Sequence, residues 1–182
     1  ELQLARSLPD CVALVARQAN AEGRGRLTIR DLVRLALRRS PTRIIVGEVR
    51  GGEALDMLDA MNTGHDGSGC TIHANSPRQA LSKLATYALR TEERVPRAAI
   101  DEIIADTIQL VVQLRREPLT GHRRATHIFE VTGSREAGGI AGQDLWLLAP
   151  ERGTLAWTGV RPRCLAQIRA AGLPYHLPRQ EG

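Results

Sequence analysis

Lysine is almost missing from this chain: Lys83 is the only one among 25 basic residues, and arginine carries the rest of the positive charge. Also missing is any G-x-x-x-x-G-K-[ST] loop, the pattern whose amides and lysine hold phosphates. The nearest glycine pair, Gly23-Arg24-Gly25-Arg26, has neither the lysine nor the hydroxyl. Aromatic residues make up 3% of the chain, too few for base-stacking platforms, which argues against nucleic acid as a partner. The three cysteines, Cys11, Cys70 and Cys164, are scattered, with no C-x-x-C pair. An odd, dispersed set fits buried, reduced thiols better than a disulfide framework or a zinc site. No apolar run approaches the roughly 20 residues that a membrane span requires.

What is present is an apolar content of 42% with mixed charges over 182 residues, enough for one substantial core. The excess of 25 basic over 20 acidic residues gives a formal charge of +5. Because guanidinium pairs bidentately with phosphates and carboxylates, an arginine-rich surface suits a nucleotide, although a solvated face is the better explanation of any single arginine. The chain opens at Glu1 without a methionine, directly before a strand reading over Leu2-Gln3-Leu4, so a piece of a longer protein is expected.

Along the chain, Val12 to Val15 reads as a short buried strand, followed by a loop through Gly23 and Gly25. Thr28 and Asp31 have capping-box spacing, and Ile29, Leu32, Val33, Ala36 and Leu37 recur at helical period, with Pro41 ending the helix near Ser40. Ile44 to Val46 reads as a strand covered on both faces. Ala54, Met57, Leu58 and Met61 share a face of the next helix, which Asn62-Thr63-Gly64 terminates. Thr71 to Ala74 reads as a second strand, and Ser76, Pro77 and Gln79 open another helix. This alternation predicts a parallel sheet with right-handed crossovers. Beyond Leu89 the pattern changes to a charged helix from Pro96 to Asp106 and a strand through Leu110, Val112 and Leu114. Strands around Ile128 to Thr132, Leu145 to Leu148 and Leu155 to Trp157 follow, then a helix from Pro162 to Ala171. Successive strands predict an antiparallel extension. The fold class expected is therefore α/β, with residues 1–89 forming a core portion and residues 90–182 a helical and antiparallel portion of the same domain.

Glu48 stands at the carboxyl end of the first buried strand, where an acid can approach magnesium or polarise an attacking water; a surface glutamate leaving a strand is the plain alternative. His73 is expected at the end of the neighbouring strand, facing the same crevice, either as a hydrogen-bond donor to a terminal phosphate or as a structural histidine. His65 precedes the turn Asp66-Gly67-Ser68-Gly69, whose amides can approach a ligand. Arg50 either orders Glu48 or reaches a phosphate, unless it makes only a surface ion pair. Arg24 and Arg26 are candidates for arginine fingers reaching a neighbouring subunit, or are simply solvated.

Together these segments closely resemble the type II/IV secretion ATPases, and most closely the branch that powers assembly of tight-adherence (Flp/Tad) pili. Glu1-Leu2-Gln3-Leu4 looks like the end of the family's Asp box, Thr28 to Arg50 like its helix and Walker B segment, and Asn62 to Pro77 like its His box. The stretch from Gln143-Asp144-Leu145 through Trp157-Thr158-Gly159 to Pro162 is also similar. The resemblance implies part of a RecA-like hexameric motor that hydrolyses ATP with Mg2+ to drive pilin assembly or protein export. It also implies a place at the cytoplasmic face of the inner membrane, against an integral-membrane platform protein, with no nucleic acid involved. Under it, Glu48, His73 and Glu1 are catalytic, and Gly47, Arg50, His65 and Asn75 lie near the phosphates. No direct metal ligand is implied, and Glu48 reaches Mg2+ through water. Glycine at position 47, in place of a Walker B aspartate, is usual in the family. Without a phosphate loop the chain alone is expected to be inactive and to bind neither cofactor. The alternative is a naturally short, non-hydrolytic interaction module or decayed paralogue.

Overall fold

Thr28 sits in extended backbone where its hydroxyl accepts the Asp31 amide at 3.2 Å, and the Asp31 carboxylate accepts the Thr28 amide at 2.9 Å. This reciprocal box satisfies two amides that a helix start otherwise leaves open, and it fixes the first turn of α1 (Ile29–Leu37). Past α1, Ser40 takes a left-handed conformation with φ 49° immediately before Pro41, and the chain reverses. A computed structural model describes residues 3–118, 120–134 and 139–178, with nothing described of the Ser134 side chain. They divide into two units, the first comprising residues 1–73 and 83–103, the second residues 74–82 and 104–182.

In the first unit, β1 (Ile45–Val46) and β2 (Gly69–Cys70) pair in parallel, with Ile45 opposite Gly69 and Val46 opposite Cys70. The crossover between them is α2 (Glu53–Met61), whose Ala54, Met57 and Leu58 are fully buried. Helix α3 (Pro77–Ala88) contributes Ala85 and Ala88 to this core from its later turns, and α4 (Arg97–Thr107) contributes Ile100. The Asp56 carboxylate, 11% exposed, lies 2.6 Å from Arg30 Nε and 2.9 Å from Arg34 Nε, tying α1 to α2.

The second unit is a four-stranded antiparallel sheet ordered β3-β4-β5-β6, formed by Leu110–Arg116, Arg123–Ser134, Ile140–Ala149 and Thr154–Trp157. Phe129 and Leu145 are the most deeply buried apolar side chains of its strands, and the Arg78 guanidinium from the first turn of α3 lies 4.9 Å over the Phe129 ring. Gly142 is required by close approach, since a Cβ there would sit 2.3 Å from Phe129 and 2.5 Å from the Glu130 carbonyl. Glu130, itself buried, has both oxygens satisfied, one by the Arg163 amide at 2.7 Å and one by Gln143 at 2.8 Å. A last helix, α5, spans Leu165–Ala170.

The mixed α/β architecture, the parallel pair and the antiparallel extension follow the sequence reading, and several local expectations do not. Val12 and Val15 are 57% and 79% exposed and outside any strand, because an apolar tetrapeptide becomes a strand only when a ladder partner is available. The strand expected at Leu2-Gln3-Leu4 is a 3-10 turn over Leu4–Arg6, with Leu2 outside the described residues. β1 is covered on one face only, with Ile45 44% exposed. The three cysteines are half-buried rather than buried. The final helix starts at Leu165, not Pro162, since the preceding turn is closed only by the Leu165 amide on the Pro162 carbonyl at 3.3 Å.

Because Met57 has no exposed surface, truncation to alanine leaves a cavity the first unit cannot fill, and Met57→Ala is expected to cost about 2–5 kcal/mol in chemical denaturation. Gly142→Ala forces Phe129 off its packing and is expected to cost about 1–3 kcal/mol in the same assay.

Candidate active site

β1 ends at Val46, and the next buried anchor is Val49, 1% exposed. Gly47 and Glu48 lie between these two anchors, so the Glu48 side chain leaves the sheet at its carboxyl edge, where ligands bind in parallel sheets. Its carboxylate, 13% exposed, has one oxygen paired with the Arg50 guanidinium and the other 3.3 Å from His73 Nε2. The Arg50 hydrogen bond is the largest influence holding the Glu48 carboxyl below its ordinary value; desolvation opposes it, and the charges of Arg50 and His73 add to the lowering. Glu48 is therefore an anion throughout the neutral range. A carboxyl depressed on folding stabilises the fold above its unfolded value, and that contribution is lost as pH falls through the lowered one.

The turn carrying Glu48 is held from α2. Gly52 offers no side chain to cap the helix, and Glu53 Oε1 instead accepts the amides of Arg50 at 2.7 Å and Gly51 at 2.9 Å. His73 lies in the loop after β2, three residues past its end rather than at a strand terminus, because the ladder closes at Cys70. Its ring is 88% exposed, while its carbonyl accepts Lys83 Nζ at 2.9 Å.

The other candidates stand elsewhere or act locally. His65 Nδ1 donates to the Pro41 carbonyl at 2.7 Å, and the Ser68 hydroxyl joins the His65 carbonyl to the Ile44 amide, so this turn stitches the fold to the start of β1. The Gly67 position combines φ 77° with an Arg43 side chain that would lie 2.6 Å from any Cβ, which leaves glycine as the fitting residue. The Gly47 carbonyl accepts the Thr71 hydroxyl at 2.5 Å. Asn75 belongs to the second unit, where its amide donates to Gln79 Oε1 at 2.6 Å and helps open α3. Arg24 and Arg26 are exposed on a loop closed by the Arg17–Leu27 bridge and by Asn20, whose side chain accepts the Arg24 amide at 2.7 Å. Glu1 lies outside the described residues. Burial pushes the Cys70 thiol up to about 11, which keeps it protonated and unreactive near neutrality. Among the described residues no cluster of three or more His, Cys, Asp or Glu could hold a metal ion, and no helix is long and apolar enough to cross a membrane.

Sequence reasoning passed over three groups in this constellation: Glu53, Thr71 and Lys83. An acid at the first helical position after two glycines, and a single lysine in an arginine-rich chain, were the available signals for two of them. Carbon-detected NMR is expected to show the Glu48 carboxyl titrating below 4.5, and Arg50→Ala, which removes its largest stabilising partner, is expected to move the midpoint upward.

Residues 13–140 match the family described as type II/IV secretion system protein. A putative conjugal transfer protein of Mycobacterium tuberculosis is 44% identical over 126 residues, 69% of this chain and 35% of that protein. The type IV secretion system protein PtlH of Bordetella pertussis is 38% identical over 96 residues, 52% of this chain and 28% of its own length. The chain thus spans about a third of the length of the curated relatives it matches. Among solved structures, the VirB11 ATPase of the Brucella suis type IV secretion system superimposes with a TM-score of 0.54 at 30% identity, over 57% of this chain and 32% of that one. With a family match running over most of its residues, and a parallel pair at whose edge an acid and a histidine meet, this chain belongs to the type II/IV secretion system protein family.

Proposed function

We propose that this chain is the portion of a RecA-like, hexameric secretion motor that carries its catalytic glutamate, that the motor hydrolyses ATP, and that it is nearest in kind to the Flp/Tad pilus-assembly branch. The observation that carries the proposal is the 3.3 Å approach of His73 Nε2 to Glu48, with Arg50 on the other carboxylate oxygen. A carboxylate ionised at neutral pH accepts a proton from an attacking water or orients it, and the exposed imidazole of His73 donates a hydrogen bond toward developing phosphate charge. Arg50 balances Glu48 until a phosphate competes for the guanidinium.

The donor set fits the hydrolytic end of a nucleotide site, one carboxylate flanked by two nitrogen donors. ATP with Mg2+ would supply the phosphoryl group and the neutralising metal charge when bound, and Glu48 would be the residue that serves that metal, through water. No lysine-bearing phosphate loop occurs in the 182 residues, so the chain alone is expected to turn over ATP negligibly, because positioning supplies most of phosphoryl-transfer catalysis. In this reading Glu1 is an Asp box carboxylate, and Gly47, His65 and Asn75 lie near the phosphates. Arg24 and Arg26 reach a neighbouring subunit, and a membrane platform protein at the cytoplasmic face receives the motion. Residues 1–89 hold the catalytic segments and residues 90–182 the remainder of the same domain. A second reading is a non-hydrolytic interaction module related to such motors.

Phosphate release is to be measured for the chain alone and for the chain joined to a phosphate-loop-bearing front half. Turnover is expected only in the joined protein, with Glu48→Gln lowering it about 100-fold or more while nucleotide binding persists. His73→Ala is expected to lower it less. Turnover by the joined protein that Glu48→Gln leaves intact would overturn the motor reading, and a joined protein that binds partners without turnover would support the second.

A further inference from the structure

In a regular parallel ladder, a residue facing position i of its neighbour accepts an amide from i+1 and donates to the carbonyl of i−1. Thr71 departs from this in one respect. Its amide donates to the Val46 carbonyl at 3.3 Å, which places it opposite Gly47, yet its carbonyl accepts the amide of Val49 at 3.0 Å instead of that of Glu48. One extra residue is therefore accommodated between the two bonds, and that residue is Glu48. Such a bulge re-aims a side chain at the rim of a sheet. Beside it, the Thr71 hydroxyl donates to the Gly47 carbonyl at 2.5 Å. Thr71 thus brackets Glu48 by bonding the residues immediately before and after it, and it stands two residues ahead of His73 in the same loop.

We propose that Thr71 is a positioning residue whose hydroxyl fixes the bulge that turns Glu48 toward His73. The proposal rests on the reading of Glu48 as the acid only for its functional meaning; the geometry exists without nucleotide. Serine preserves the hydroxyl, and valine preserves the branched shape while removing the donor, so the pair separates hydrogen bonding from packing. The depressed Glu48 carboxyl is a reporter, since it depends on where Arg50 and His73 stand.

The test uses the 182-residue chain without nucleotide. In Thr71→Val the Glu48 carboxyl midpoint, followed by carbon-detected NMR, is expected to rise by about half a pH unit or more, while Thr71→Ser keeps the native midpoint. Val49 amide exchange is expected to quicken in the valine variant and not in the serine variant. Equal Glu48 titration in all three proteins would overturn the proposal. If the valine variant does not fold, the native chain decides: a slowly exchanging Thr71 hydroxyl proton with a cross-peak to Gly47 supports the bond, and a rapidly exchanging one refutes it. These readouts need no turnover, so a failed motor reading leaves them standing, and their failure leaves the Glu48→Gln result intact.

Discussion

Everything at the candidate site descends from a parallel ladder two residues long. β1 and β2 share only the pairs Ile45–Gly69 and Val46–Cys70, yet this pairing decides which carbonyls and amides remain free at the carboxyl edge. Buried backbone groups must find partners, and here they find them in the loops that follow, Thr71 serving Val46, Gly47 and Val49 in turn. Helix α2 then returns through Glu53 to cap its own approach, so the turn bearing Glu48 is held from the sheet on one side and from the helix on the other. A short strand suffices because the loops beyond it carry further hydrogen bonds of their own.

The electrostatics of the constellation favour a poised anion. Glu48 sits between a guanidinium and an imidazole, both far more exposed than itself, so its charge is satisfied without being sealed from solvent. Exposed pairs of this kind contribute little to stability, and their value lies in orientation. The deeper carboxylates of the molecule are treated differently. Glu130 is enclosed by an amide donor and a glutamine, and Asp56 by two arginines, arrangements that hold elements together.

Features of the fold that depend on neighbours in sequence were legible from the letters, and those that depend on distant partners were not. The Thr28–Asp31 box, the buried stripe of α2 and the opening of α3 at Ser76 each rest on spacings of three or four residues, and each is present. The shared edge for Glu48 and His73 was also readable, because strand, helix, strand alternation implies parallel neighbours. Strand ends were not. Val12 to Val15 has strand-like residues but no ladder, and His73 falls beyond β2 because the ladder closes at Cys70. The enclosure of Glu130 involves Gln143 and Arg163, 13 and 33 positions away, which no local pattern announces.

The solitary lysine has a practical meaning. Lys83 donates its ammonium to the main chain of the residue whose imidazole faces Glu48. Amine-directed reagents therefore have one side-chain target in the entire polypeptide, and a probe attached there would sit beside the histidine loop, giving a single-site optical or mass label for motions of that loop with no engineered cysteine.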